Sequence, residues 1–294
     1  MRGHTQAEAM DEDNYTASLR DCAQDLIMEL LLAYGGKAAV ALVAATGKLI
    51  QQGATAQAAG DENWWKPVEV CLFTYTIKGE GQNATSTSQM LIKMAQKGKF
   101  GLEAAMTQIM QFLQVAACPF LQGRAFSAAG AFAESLPPAL IQQLLQASLA
   151  AITGGQAPPV TISAIIAIQQ FCSALQEQHA DTAAPFIAKI FEVLTTLAIQ
   201  SVKAKSSPDV LIIIIETLML ISPVHPATTL ANESKILPLA NACFINFTDQ
   251  PFVVDAGETP PLALDNRVAV LEVTELADWG SALCPASARR LILC

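Results

Sequence analysis

Apolar residues recur along this chain at three- and four-residue spacing, and Pro, Gly and Ser punctuate them at intervals, which predicts a succession of helices. No strand-like alternation interrupts the pattern before residue 250. In Pro138 to Ile152 the residues Ile141, Leu145, Ser148 and Ile152 share a face with Leu140, Leu144 and Ala151, and Gln142, Gln143 and Gln146 fall opposite. This predicts a half-exposed helix. Beyond Gly154-Gly155 and Pro158-Pro159, the stretch Val160 to Leu175 carries Ile162, Ile165, Ile168, Cys172 and Leu175 with few polar positions, so it is expected to be more buried.

The alternation repeats. Ala184 to Ala198 is amphipathic through Phe186, Ile190, Leu194 and Leu197, with Lys189 and Glu192 outward. Ser207-Pro208-Asp209 then supplies a cap, a first-turn proline and an acidic first turn to the apolar stretch Val210 to Ile221, which Pro223 and Pro226 close. Upstream, Lys37 to Gln52 pairs with Trp64 to Ile77, and the capping-box pattern Ser86-x-x-Gln89 opens a helix that leads through Glu103–Gln114 to Pro119–Glu134. The second helix of each pair is expected to begin near Thr16, Trp64, Pro119, Pro159, Pro208 and Pro251.

These starts recur at roughly 40 to 55 residues, the period of HEAT-type helical hairpins, each of which buries its apolar side only against the next. The fold class expected is all-α, a right-handed HEAT-repeat α-solenoid in which antiparallel helix pairs stack into a superhelix. Periodicity alone also admits a single globular helical bundle. The domain reading is an acidic, flexible start over residues 1–13, five to six repeats over 14–254, and a poorly structured tail over 255–294. In that tail Gly257, Pro260-Pro261 and Pro285 break any helical pair and only Asn266 to Leu276 suits an isolated element.

Composition narrows the function classes. Of the 294 residues, 52% are hydrophobic and 15% charged, enough apolar surface for a core and too much for a disordered chain. The formal charge of −9 argues against a nucleic-acid partner, which needs clustered Lys and Arg, and favours a basic one. The seven cysteines lie far apart with no C-x-x-C pair and no histidine at ligand spacing, so they read as free thiols of a reducing compartment, with no metal or other cofactor. Residues 1–13 are polar and acidic where a secretory signal needs a basic start and an apolar run, which suggests the cytosol or nucleus, and the N-x-S/T matches at Asn14, Asn83, Asn232 and Asn246 are then chance. The apolar run Leu211 to Ile215 is too short to span a bilayer between its flanking prolines, so no membrane insertion is expected.

Candidate chemistry is sparse. His4, His179 and His225 sit in the chain start, in a turn and between prolines, where each reads as a surface residue, and no nucleophile, base and orienting group come together, so no enzyme is expected. Gly35-Gly36-Lys37 lacks the G-x-x-x-x-G-K-[ST] spacing of a phosphate loop and reads as a helix C-cap and turn. Trp64 and Trp65 open an apolar helix, where they are expected to pack between adjacent repeats. Asp11, Glu12 and Asp13 form a short acidic cluster, either a solvated approach to the first helix or an attractant for a basic protein partner.

With the helices placed, seven ordered blocks become specific. They are Asp11-Glu12-Asp13 leading to Ala23-Gln24-Asp25-Leu26; Trp64-Trp65-Lys66; Pro119-Phe120-Leu121-x-Gly123-Arg124-Ala125; Leu140-Ile141-Gln142-Gln143-x-Leu145-Gln146-Ala147; Pro158-Pro159-Val160-x-Ile162-Ser163-Ala164; Glu216-Thr217-Leu218; and Glu233-Ser234-Lys235-Ile236. In these blocks, over about residues 10 to 254, the chain resembles the importin-β (karyopherin-β) superfamily. The resemblance implies the middle portion of a longer nuclear import receptor that wraps basic protein cargo such as histones and ribosomal proteins, passes nucleoporins, shuttles between cytoplasm and nucleus, and releases cargo to GTP-bound Ran. It implies that Ran binds the full-length receptor upstream of the repeats matched here, and that Asp11, Glu12 and Asp13 are the end of an acidic, cargo-attracting insertion.

The family has arginine where this chain has Ala131, Thr161 and Ile166, whereas Arg20 and Arg124 remain. The resemblance makes Arg20 and Arg124 candidates for an inner-helix ladder or a partner contact. From Asp255 it stops abruptly, which fits a divergent carboxyl end and equally a reading frame that runs into non-coding sequence, the reading favoured here. The alternative functions are a static HEAT-repeat scaffold for protein complexes and an inactive truncated product.

Overall fold

In the computed structural model of the chain, residues 18–79, 85–176, 180–204, 208–224, 226–232 and 234 are described. They are helical throughout their ordered elements, and among them the only extended pairing is one isolated bridge, Lys78 with Ser86. The helices are α1 (Leu19–Tyr34), α2 (Gly36–Ala58), α3 (Trp65–Thr76), α4 (Thr87–Gln96), α5 (Leu102–Phe112), α6 (Pro119–Ala131), α7 (Pro138–Thr153), α8 (Pro158–Gln176), α9 (Ala180–Ala204), α10 (Pro208–Ile221) and α11 (Pro226–Ala231). The fold is all-α, of the HEAT-repeat class. Contacts divide the chain into two compact units, residues 1–132 and 133–294.

Local chemistry sets the helix starts in the first unit. Ser18 caps α1 through a capping box with Asp21, so the helix begins three residues beyond the expected Thr16, which lies outside the described residues. The bonds donated to Asp21 by the Ser18 hydroxyl and then the Ser18 amide hold its carboxyl below the usual carboxylate range. Ser86 and Gln89 form the expected capping box on α4, the Gln89 amide donating to Ser86 Oγ at 3.1 Å and the Ser86 amide to Gln89 Oε1 at 3.2 Å. Gly35 ends α1 with φ of 52°, a left-handed value that glycine adopts without strain, and donates to the Leu31 carbonyl at 2.9 Å.

Two helical pairs, α2–α3 and α5–α6, share this unit with α1, and α3 packs against both α2 and α6. Gly53 on α2 permits a close approach: a Cβ there would collide with Val68 Cγ2 and lie 3.0 Å from the Trp64 carbonyl oxygen. Met28, Leu31, Ala39, Ile77 and Met94 form one buried cluster. Beside it Tyr75, Phe100 and Phe132 meet as an aromatic trio, with centroids 5.6 to 6.2 Å apart.

In the second unit α8 packs on α7 and α10, and α9 packs on α7 and α10, so like helices of successive pairs lie beside each other. Gln169 on α8 donates from Nε2 to Thr217 Oγ1 on α10 at 2.7 Å, a polar tie between second helices 48 residues apart. Helix α10 buries Leu211, Ile214, Leu218 and Ile221 on one stripe. Helices α8 and α9 bury Ile165, Ile168, Cys172 and Leu175, and Ile190 and Leu194, as the pattern predicts, and depart from it at particular positions. Ile162 is only half-buried, whereas Val160, Ala164 and Phe171 are fully covered. Helix α9 starts four residues earlier than expected and takes Pro185 into its early turns; it buries Ile187, Phe191 and Ala198, leaving Phe186 and Leu197 half-buried, while Lys189 and Glu192 face outward and pair at 2.9 Å. Because α9 touches α7, α8 and α10, its covered face is wider than, and rotated from, the narrow stripe that a single contact would demand. The windows Pro158–Leu175 and Ala183–Val202 are long and apolar enough to cross a membrane by length and composition, and in the fold about two-fifths of each is buried against protein (44% and 39%).

Candidate functional site: an arginine ladder over a buried glutamate

Helix α3 reads Trp-Lys-Pro-Val-Glu-Val-Cys-Leu-Phe-Thr-Tyr-Thr, and Glu69 is its one acidic residue. Packing against α2 and α6 covers the Glu69 side chain to 9% exposure, so its charge needs compensation. Two arginines supply it. Arg20, in the first turn of α1, donates from Nη1 to Oε1 and from Nη2 to Oε2, each at 3.3 Å. Arg124, in mid α6, donates from Nε to Oε1 at 2.9 Å. One carboxylate thus holds three helices drawn from different parts of the sequence.

Phe73, one turn after Glu69, meets the same two guanidinium groups, with Arg20 Cζ 4.8 Å and Arg124 Cζ 4.9 Å from its ring centroid. Both arginines are therefore held twice, by an ion pair and by a ring face. One turn before Glu69, Trp65 stacks on Phe120 of α6 at 6.2 Å with the planes 13° apart. The contacts Trp65–Phe120 and Glu69–Arg124 are in register, so α3 and α6 run parallel with a 55-residue offset. The arrangement cross-links helices, and it presents an aromatic ledge next to fixed positive charge.

Other chemistry in the described residues is structural. Cys71 and Cys172 are buried, and desolvation pushes their thiols up to about 11 and about 12, so both stay protonated and unreactive near neutral pH. Cys118 is half-buried with its thiol shifted up by desolvation, and Cys22 is exposed.

Sequence reading found Arg20, Arg124, Trp64 and Trp65, and the structure brings Arg20, Arg124 and Trp65 to one strip. Trp64 lies half-buried at the head of α3, its carbonyl against Gly53. Glu69 and Phe73 were missed. A lone acidic residue within an otherwise apolar helix was the signal for Glu69. Of the positions where the family has arginine, Ala131 ends α6, and Thr161 and Ile166 lie half-buried on α8. Asp11, Glu12 and Asp13, the three histidines and residues 255–294 lie outside the described residues.

Comparison with known families decides the relationship. The model describing the importin-9 central HEAT repeats matches residues 7–240. The chain belongs to that family. Importin-9 of Drosophila melanogaster is 23% identical over 259 residues, covering 87% of this chain and 24% of the relative. The chain thus spans about a quarter of the length of that importin-9. The ladder residues all fall within the stretch that matches the importin-9 central repeats.

Proposed function

We propose that this chain is a segment of a nuclear import receptor that takes up basic protein cargo of the histone and ribosomal-protein kind, passes nucleoporins and shuttles between cytoplasm and nucleus. It works by surface complementarity and charge, with no covalent chemistry. Release falls to GTP-bound Ran acting on the complete receptor, outside this segment. The observation that carries the reading is the match of residues 7–240 to importin-9 central repeats, and the formal charge of −9 suits a basic cargo. Asp11, Glu12 and Asp13 are proposed to contribute to cargo attraction, which raises association rate more than it sets specificity.

The test uses the complete receptor that contains this segment. Immobilised receptor is offered a core histone dimer across a salt series, with and without Ran loaded with a non-hydrolysable GTP analogue. Capture that weakens with salt and is reversed by loaded Ran is the expected result. Salt-sensitive capture that Ran leaves untouched would mark a static scaffold instead, and no capture at low salt would sink the transport reading.

A further inference from the structure

The geometry points to a docking site on the α3–α6 strip for a partner segment that pairs a carboxylate side chain with an aromatic or large aliphatic one. This goes beyond the import reading, which concerns basic cargo and does not use these residues.

The first observation is a charge surplus held in place. Two guanidinium groups face one carboxylate, so the cluster carries a net positive charge in a chain of net −9. Arg124 uses only Nε on Glu69, and its Nη1 and Nη2 meet no described acceptor. Those two nitrogens form the fork that takes a carboxylate with two parallel bonds. The side chain of Arg124 is 25% exposed and that of Arg20 51%, so both side chains remain partly open to solvent. Because Phe73 and Glu69 already fix them, an incoming acid gains its bonds without ordering two long side chains.

The second observation is apolar. Phe120 is 62% exposed although its ring stacks on Trp65, and it lies one helical turn from Arg124 on the same face of α6. Aromatic ledges of this kind are the anchors that dominate small interfaces. The occupant that fits places Phe or Leu about one helical turn from Glu, or two strand positions from it. A long polyanion is disfavoured, since the local surplus is small and the chain as a whole repels it.

A fluorescent, alanine-based helical peptide bearing Phe and Glu four positions apart serves as the probe, read by anisotropy against the full chain. Control peptides carry Gln or Lys in place of Glu. The expected result is binding that the Gln peptide loses by about tenfold and that Arg124→Lys, which keeps the charge but not the fork, lowers by a similar factor. Phe120→Ala, at a position 62% exposed, weakens it too while the chain stays folded by circular dichroism, with thermal unfolding lowered only by the lost stack on Trp65; this variant keeps the test sound if Arg124→Lys disturbs the fold. Equal binding of the Glu and Gln peptides, indifference to Phe120→Ala, or no binding at all would overturn the site. Tighter, Arg124-dependent binding of a single-stranded oligonucleotide would overturn it in favour of a phosphate partner.

Discussion

Arg124 donates from Nε to Glu69 Oε1 at 2.9 Å across 55 positions of sequence, and Arg20 reaches both oxygens of the same carboxylate from 49 positions away. With the tie from Gln169 to Thr217 at 48 positions, these links fall at the interval of successive helical pairs. The ties from Arg124 to Glu69 and from Gln169 to Thr217 each join the second helix of one pair to the second helix of the next. In a fold where every repeat touches only its neighbours, such a tie sets the register between repeats while apolar packing supplies most of the energy.

Removing Glu69 leaves two neighbouring arginines without the carboxylate that compensates them, whereas removing Arg20, 51% exposed, deletes a partner that solvent already screens. Glu69→Ala is expected to destabilise the chain by about 2–3 kcal/mol, and Arg20→Ala by less than about 1 kcal/mol. Arg124→Ala falls between. Urea unfolding of the three variants checks the order; equal losses for Glu69→Ala and Arg20→Ala would show that Glu69 is not the hub.

Glycines of one helix should respond with opposite sign. Gly53→Ala drives a methyl into Val68 and the Trp64 carbonyl, so overpacking of about 1–3 kcal/mol outweighs the better helix propensity of alanine. Gly47, also on α2, has open space around it, so Gly47→Ala should stabilise by about 0.5–1 kcal/mol. The contrast is read from thermal midpoints.

Alkaline pH should erode stability through the buried thiols. Their folded values, about 11 for Cys71 and about 12 for Cys172, lie above the unfolded value near 9. The stabilising contribution is complete below about pH 9 and is lost as pH rises through the folded values, because the unfolded chain releases its protons first. A fall of about 1 kcal/mol per pH unit for each thiol is expected across that window. Urea unfolding at pH 8 to 11 should show a shallower decline in Cys172→Ala.

Thiol accessibility gives an independent check of packing. Brief treatment with iodoacetamide at pH 8 should modify Cys22, which is exposed, and spare Cys71 and Cys172 until the chain is unfolded. Peptide mass spectrometry reads each site, and early labelling of Cys71 would mean that α3 is not covered as described.

The aromatic trio is the most cavity-sensitive part of the first unit. Phe132 is fully buried against Tyr75 and Phe100, and Phe132→Ala should cost about 3–5 kcal/mol in urea unfolding. A loss under about 1 kcal/mol would contradict the packing.

What the amino-acid sequence determined by itself was local: where helices start and stop, and how often the pattern repeats. The Ser86–Gln89 box, the turn at Gly35 and the first-turn Pro119 and Pro208 act within a few residues, so their chemistry is legible without a fold. The resemblance that singled out Arg20 and Arg124 also needed only ordered blocks of residues. Tertiary structure alone decided that both arginines meet at Glu69, that both contact the Phe73 ring, and that α9 turns Ile187 and Phe191 inward while Phe186 and Leu197 stay half-buried. The reason is physical. Compensation of a buried charge and the covered width of a helix depend on neighbours about fifty residues distant, whose approach no local window encodes.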